Sequence, residues 1–480
     1  MNIRMVAQVL GTVLCTVAAL LLLPALVCLL YKESPLPFLA VTGMTALAGI
    51  LLLRLKPVNK KIYAGEGFVS VGLSWVLISA FGALPFTISG EIPNYINAFF
   101  ETVSGFTTTG ATILLDIEGM SRGCLFWRSF THWIGGMGVL VFIMAVLPLA
   151  GTRSIHIMRA EVPGPTVGKL VPSARKTASI LYAIYVVMTL VETGLLMLGG
   201  MSLFDALIHA FGTAGTGGFS SRALSVGYYG SAYIDVVITV FMILFGVNFN
   251  LYYLLLLRKA AAVLKSEELR VYLGVILFAI LTIALNILPG QASFPAALRY
   301  AGFQVASVIS TTGYSTADFA LWPTYSQWVL VLLMLIGACA GSTGGGIKVS
   351  RIMILCKAFR QELTKQHRPH SVSLVRLEGK PVPESTTHTT LVFFAGYLGI
   401  LFLGSLVVSL DGFDVTTTFT GTLACLSNIG PGLGLVGPMG SFTAFSWLSK
   451  LTLSLCMLLG RLEIFPLLLL GVPSVWGRRA

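Results

Sequence analysis

Thr107-Thr108-Thr109-Gly110-Ala111-Thr112, Gly215-Thr216-Gly217-Gly218-Phe219-Ser220, Ser310-Thr311-Thr312-Gly313-Tyr314-Ser315 and Ser427-Asn428-Ile429-Gly430-Pro431-Gly432 are four short stretches of one chain that align on a single glycine. Three residues before that glycine stands Thr, Gly or Ser; six before stands a small residue (Ser104, Gly212, Ser307, Ala424). The stretches recur every 95 to 117 residues, and each lies between two apolar runs: Phe68–Phe86 and Phe126–Leu149, Ile180–Leu198 and Ile234–Leu257, Val271–Leu288 and Trp328–Phe359, Thr389–Leu410 and Leu448–Leu470. A period of this kind is sought before any fold is assigned. It predicts one unit, helix, half-helix, loop, helix, repeated four times.

Only 10% of the 480 residues are charged and 56% are hydrophobic, against about 25% charged in soluble domains. The apolar runs approach the roughly 20 residues of a membrane-spanning helix. The piece before each loop does not, because ~10 helical residues rise only about 15 Å, so it must enter and leave on one side. Val6–Leu30 and Pro37–Leu53 add two helices in front; the first is too long for a signal-peptide core and lacks a small-x-small cleavage site, so it is expected to be retained. The expected fold is an all-α membrane protein of about ten crossings: two leading helices (1–61), then four pseudo-symmetric helix–re-entrant pore loop–helix repeats around one pore (62–176, 177–270, 271–385 and 386–480).

The net charge of +12 would suggest nucleic acid in a soluble protein. Here the basic residues cluster at alternate turns: Arg54 to Lys61, Arg153 to Lys176, Arg258 to Arg270, Lys348 to Lys380, and Arg478-Arg479. The intervening segments carry Glu91, Asp116, Glu118, Asp318, Asp411 and Asp414 instead. This is the positive-inside pattern, which expects both termini in the cytoplasm, a lipid bilayer as partner and no nucleic acid. The seven cysteines are odd in number, sit mostly in apolar stretches and show no CxxC or His-rich spacing, so they read as small buried side chains.

Irregular backbone at membrane depth is tolerated only where protein encloses it or it lines a watery cavity. Four such loops around one axis offer carbonyl oxygens that replace a cation's hydration shell. The central glycine adopts φ > 0 without penalty, neighbouring Thr hydroxyls would add ligands, and half-helix carboxyl ends would favour a cation. The expected filter is Thr108, Thr109 and Gly110; Thr216, Gly217 and Gly218; Thr311, Thr312 and Gly313; and Asn428, Ile429 and Gly430. These are the sole metal-binding residues expected, with no cofactor beyond the transported ion. The plainer alternative for any one loop is a tight helix-capping turn. No nucleophile–base set supports an enzyme.

A run of small residues, Gly337 to Gly346, interrupts the second helix of the third repeat. Glycine in a helix interior costs about 1 kcal/mol against alanine, so the helix is expected to open into a mobile gate loop beneath the filter; a close helix-packing surface is the alternative. It is not a phosphate-binding loop, since Ile347 follows Gly346 and Val349 follows Lys348. Arg461, inside the last apolar run, needs the pore or a partner such as Glu463 or Glu192. His132, His209 and Asn248 read as satisfied intramembrane polar groups. The broken helix and Asn248 also suit a Na⁺- or H⁺-coupled secondary transporter, although that class has inverted repeats and these four are parallel.

The plan and loops resemble the superfamily of K⁺ transporters that includes the TrkH, KtrB and plant HKT proteins, the TrkH branch most closely. Gly135-Gly136-Met137-Gly138, Arg159-Ala160-Glu161-Val162-Pro163-Gly164-Pro165, Gly341-Ser342-Thr343-Gly344-Gly345-Gly346-Ile347-Lys348, Asn428 to Gly434 and Gly460-Arg461-Leu462-Glu463 carry the likeness. The resemblance implies K⁺ uptake at the bacterial inner membrane, a homodimer, and a cytoplasmic nucleotide-binding regulatory subunit of the TrkA kind. It places Arg461 near the gate loop, and it reads four filter glycines, with no serine replacing the first, as K⁺-selective.

Overall fold

A computed structural model of the chain describes residues 1–56, 64–138, 174–368 and 374–476. The 159–165 motif, the basic residues Lys60, Lys61, Arg153, Lys169, Arg478 and Arg479, and the far part of the Phe126–Leu149 run lie outside the described residues. The described residues are mostly helical, and they include one short hairpin pairing Arg376 with Pro381 and Leu377 with Lys380.

Among the described residues, six helices are long and apolar enough to cross a bilayer: Ile3–Leu30, Leu36–Leu53, Gly65–Ile88, Lys176–Leu198, Glu267–Gly290 and Glu384–Asp411. Phe278, Leu285, Phe402, Leu403 and Leu406 project outward from them and are exposed. Large apolar side chains in such number on one perimeter need a lipid covering. The first two helices pack on each other and on Ala64–Ile88, forming an outlying pair beside the four repeats.

Each repeat contains a half-helix: Tyr95–Phe106, Leu203–Gly215, Phe294–Ile309 and Val415–Leu426. Each starts on a capping side chain, Asn94, Ser202, Ser293 or Asp414, whose oxygen accepts from the first-turn N–H groups. Three of the four are 12 or 13 residues long, about 18–20 Å, too short to span.

The second helix opens in the third repeat, as expected from its small residues, and in the second and fourth as well. Ala232–Phe245 meets Phe249–Leu256 at 92°, and Trp447–Arg461 meets Phe465–Gly471 at 120°. At the first bend Asn248 caps a new helix by accepting from Asn250 N. At the second, Glu463 and Ile464 take left-handed φ of 55° and 69°, and the helix ends with Ile464 N donating to Leu459 O and Glu463 N to Gly460 O. That is the Schellman pattern without its usual glycine. In the first repeat Arg122–Gly136 ends at Met137, followed by Gly138 with φ 82°. Thus all four second helices stop or bend, the first and fourth where they pass the carboxyl ends of their own half-helices. Gly135 lies against Phe106 O and Gly460 against Leu426 O so closely that an added methyl would sit 1.8 and 1.9 Å away.

Candidate functional site: a ring of four loops

The four loops share one backbone conformation. Thr109 N, Gly217 N, Thr312 N and Ile429 N each donate to the carbonyl five residues back, on Ser104, Gly212, Ser307 and Ala424, at 2.8 Å in every case. Thr108 N, Thr216 N, Thr311 N and Asn428 N donate to the carbonyl three residues back. These two bonds end each half-helix in a Schellman motif whose left-handed position holds Thr, Thr, Thr and Asn, at φ 54°, 56°, 62° and 57°. Glycine usually occupies that position, and β-branched residues there are strained. The capping turn and the pore loop are therefore one structure, and the small residue six places before the glycine supplies the accepting carbonyl of that turn.

The central glycines are left-handed too, at φ 81°, 78°, 82° and 95°. A methyl group at Gly110 would sit 2.1 Å from Gly217 O, at Gly218 2.1 Å from Thr312 O, at Gly313 2.0 Å from Ile429 O, and at Gly430 2.6 Å from Thr109 O. Each glycine thus abuts the carbonyl preceding the next repeat's glycine, and the fourth returns to the first. The loops close into a ring. All four glycines line a vestibule of about 310 Å³ on the side of the acidic loops.

Two Thr hydroxyls are engaged within their own loops: Thr109 Oγ1 bonds Thr107 Oγ1 at 2.8 Å and Thr312 Oγ1 bonds Ser310 Oγ at 2.7 Å, whereas the buried Thr108 Oγ1 has no hydrogen-bond partner among the described residues. Asn428 Nδ2 donates to Thr109 Oγ1 at 3.0 Å and to Met457 O at 2.9 Å, which joins the last loop to the first. Thr216 Oγ1 donates to Gly215 O. Backbone carbonyls remain the common oxygen set.

Nine residues before the glycine, a polar side chain on each of the first three half-helices braces the strand leaving the loop. Glu101 accepts from Thr112 Oγ1 and Ile113 N at 2.9 Å, His209 Nε2 pairs with Ser220 Oγ at 2.9 Å, and Gln304 Nε2 donates to Ala317 O at 3.2 Å. In the fourth repeat Gly421 occupies this place and Thr420 Oγ1 takes over, accepting from Leu433 N at 2.8 Å. His209 is a satisfied polar group as expected; Glu101, Gln304 and Thr420 were missed in the sequence, although a polar residue at one fixed offset in the first three apolar half-helices was the available signal. His132 is satisfied as expected, with Nδ1 at 2.7 Å from Gly105 O and Nε2 accepting from Phe219 N at 3.2 Å.

Beneath the ring lies the small-residue run. Thr324–Ile336 ends at Gly337, and Val349–His367 begins after Lys348. The neck is pinched by Lys348 N to Ile336 O and Val349 N to Ala338 O, with Gly337, Gly341 and Gly346 at φ 70–73°. Gly345 N donates to Thr311 Oγ1 at 2.6 Å, so Gly344 and Gly345 press against the third and fourth loops, while Ser342 Oγ turns back to Cys339 O. Two cations hold the loop by its carbonyls. Arg461 donates to Thr343 O at 2.7 Å and, across the axis, to Gly135 O and Gly136 O; Lys348 Nζ donates to Gly344 O. Glu463 pairs with Arg351 instead, at 2.5 Å. Glu268 Oε1 accepts from Ala340 N at 2.8 Å and Ser350 N at 3.2 Å, bracing both sides of the loop.

The TrkH family of cation transport proteins matches residues 38–477. This chain belongs to the TrkH family. The family is one of transporters, not enzymes. The chain is 35% identical to the Trk system potassium uptake protein TrkH of Escherichia coli strain K12, over 99% of this chain and all of that one. It is 32% identical to the Trk system potassium uptake protein TrkG of the same strain, over 99% of each. The crystal structure of the potassium transporter TrkH from Vibrio parahaemolyticus superposes with a TM-score of 0.88 at 32% identity, covering 99% of this chain and 100% of that chain. Within this family's frame the chain is an all-α, multi-pass membrane protein.

Proposed function

We propose that the protein takes up K⁺ across the bacterial inner membrane, with the four-loop ring as selectivity filter. The observation carrying this reading is the closed contact of each ring glycine with the next repeat's carbonyl. A ring with no room for a methyl group holds its carbonyls at fixed spacing, which suits replacement of an ion's hydration shell. The filter residues are Thr108 to Gly110, Thr216 to Gly218, Thr311 to Gly313 and Asn428 to Gly430. K⁺ is cargo, and the reading calls for no resident cofactor. Gly341 to Gly346 form the gate, held shut by Lys348 and Arg461, whose charges also oppose a cation below the filter. A homodimer and a cytoplasmic nucleotide-binding regulator rest on family resemblance; the basic end, with Lys357, Arg360 and Lys365, offers such a regulator an anion-seeking surface. That end faces the cytoplasm, with both termini, by the positive-inside rule.

The two sharply bent helices favour a second reading, coupled transport with H⁺ or Na⁺. One experiment decides both. In reconstituted vesicles with imposed K⁺, Na⁺ and pH gradients, K⁺ should move down its own gradient in preference to Na⁺ and without a pH gradient. Movement only with an inward H⁺ or Na⁺ gradient establishes coupling; absence of K⁺ preference overturns the filter.

A further inference from the structure

We propose that Glu101 and Arg128 are positioning residues for ion selection, a charge-neutral clamp that sets the spacing of the first two filter strands. The inference rests on the ring being the filter.

Arg128 Nε lies 2.6 Å from Glu101 Oε1, and both side chains are almost wholly buried, 2% and 0% exposed. A buried ion pair is seldom more stabilising than apolar packing, so its worth here lies in what else the two groups hold. Glu101 takes Thr112 Oγ1 and Ile113 N, two and three residues beyond Gly110. Arg128 donates to Ser220 O at 3.2 Å, two residues beyond Gly218, and its guanidinium sits 3.5 Å over the Phe219 ring. One pair therefore fastens the outgoing strands of two quarters. Neutral groups serve elsewhere: Tyr314 OH to Phe219 O at 3.2 Å between the second and third quarters, and Thr443 Oγ1 to Ile113 O at 2.6 Å between the fourth and first.

Arg128 also lines the vestibule through which a cation would arrive. Alone it would repel that cation; Glu101 cancels the charge at contact distance. Geometry and charge thus make separate predictions. Glu101→Gln loses both the neutralisation and an acceptor for Ile113 N. Arg128→Lys keeps the cation but loses the fork and the stacking.

The test is K⁺ and Na⁺ flux in vesicles containing the full chain, normalised to folded protein. Both single variants should lower the K⁺/Na⁺ preference by roughly tenfold, equal to about 1.4 kcal/mol. Glu101→Gln should also slow uptake at low external K⁺, and Glu101→Gln with Arg128→Gln should recover that rate without recovering preference. Should a neutral variant fail to fold, Arg128→Lys decides by its preference alone. Unchanged preference in folded variants, or a double variant no faster than Glu101→Gln, overturns the clamp. Wild-type protein without K⁺ preference instead overturns the filter reading, before any variant is compared.

Discussion

Arg461 donates to the carbonyl oxygen of Thr343 at 2.7 Å, so a side chain of the fourth repeat holds the loop of the third, and the same guanidinium reaches Gly136 O of the first at 2.6 Å. Hydrogen bonds from a charged donor contribute about 1.5–3 kcal/mol each. Arg461→Gln should therefore raise K⁺ flux in the absence of any regulator by roughly tenfold or more. The K⁺/Na⁺ preference, which the proposed filter would set at the ring above, should hold. Vesicle flux with each ion reads both; a change in preference alone would refute the assignment.

The ring glycines should not be equivalent. A methyl at Gly313 meets Ile429 O at 2.0 Å, whereas one at Gly430 meets Thr109 O at 2.6 Å. Left-handed backbone adds about 1–2 kcal/mol for any L-residue in all four loops. Gly313→Ala should abolish K⁺ preference or folding, with Gly110→Ala and Gly218→Ala close behind. Gly430→Ala should retain the most, measured as relative K⁺ and Na⁺ uptake.

Glu268 is the brace that grips the loop from behind. Glu268→Ala leaves Ala340 N and Ser350 N without their acceptor, at about 1–3 kcal/mol for each buried group. Unregulated flux should increase, and Glu268→Gln, which keeps an acceptor oxygen, should increase it less. Equal flux in both variants and wild type would show that the loop is held by Arg461 and Lys348 alone.

Asp414 caps the fourth half-helix, accepting from Thr417 N at 3.0 Å. Its hydrogen bonds to Thr417 hold its carboxyl below the usual range. A carboxyl pKa depressed on folding stabilises the fold above its unfolded pKa, and that stabilisation is lost as pH falls through the folded value. Asp414→Ala should lower stability by about 1 kcal/mol near neutral pH, and the difference from wild type should shrink as pH falls below the unfolded carboxyl value of about 3.9. Thermal melts in detergent at several pH values test this; Asp414→Asn, still a capping residue, should fall between.

The four half-helices and their loops were legible because one chain prints the pattern four times, in one register. Gly337 to Gly346 was legible for the same local reason: so many small residues do not make a stable helix. The bend at Asn248 was not. The bend at Glu463 has a local mark in Pro466, which cannot extend a helix begun before it. Where the helix stops is set by Gly460 against Leu426 O and by Glu463 turning to meet Arg351. The pairing of Thr109 with Thr107 was not legible either, since composition offers hydroxyls without saying which neighbours they bond. Glu101 and Arg128 stand 27 residues apart, on separate elements, and nothing in their spacing announces a pair.

The ring is closed by four dissimilar quarters of one polypeptide. In an assembly of four identical subunits, a single codon change strikes every side of the channel at once. Here it strikes one side only. Asn428, standing where the other quarters carry threonine, illustrates the freedom this gives: it bridges to the first loop and to Met457, a role the other three positions never acquired. Four unequal copies thus let each wall specialise, one receiving the third repeat's small-residue loop and another flanking the mouth, while the shared glycine keeps the circle shut.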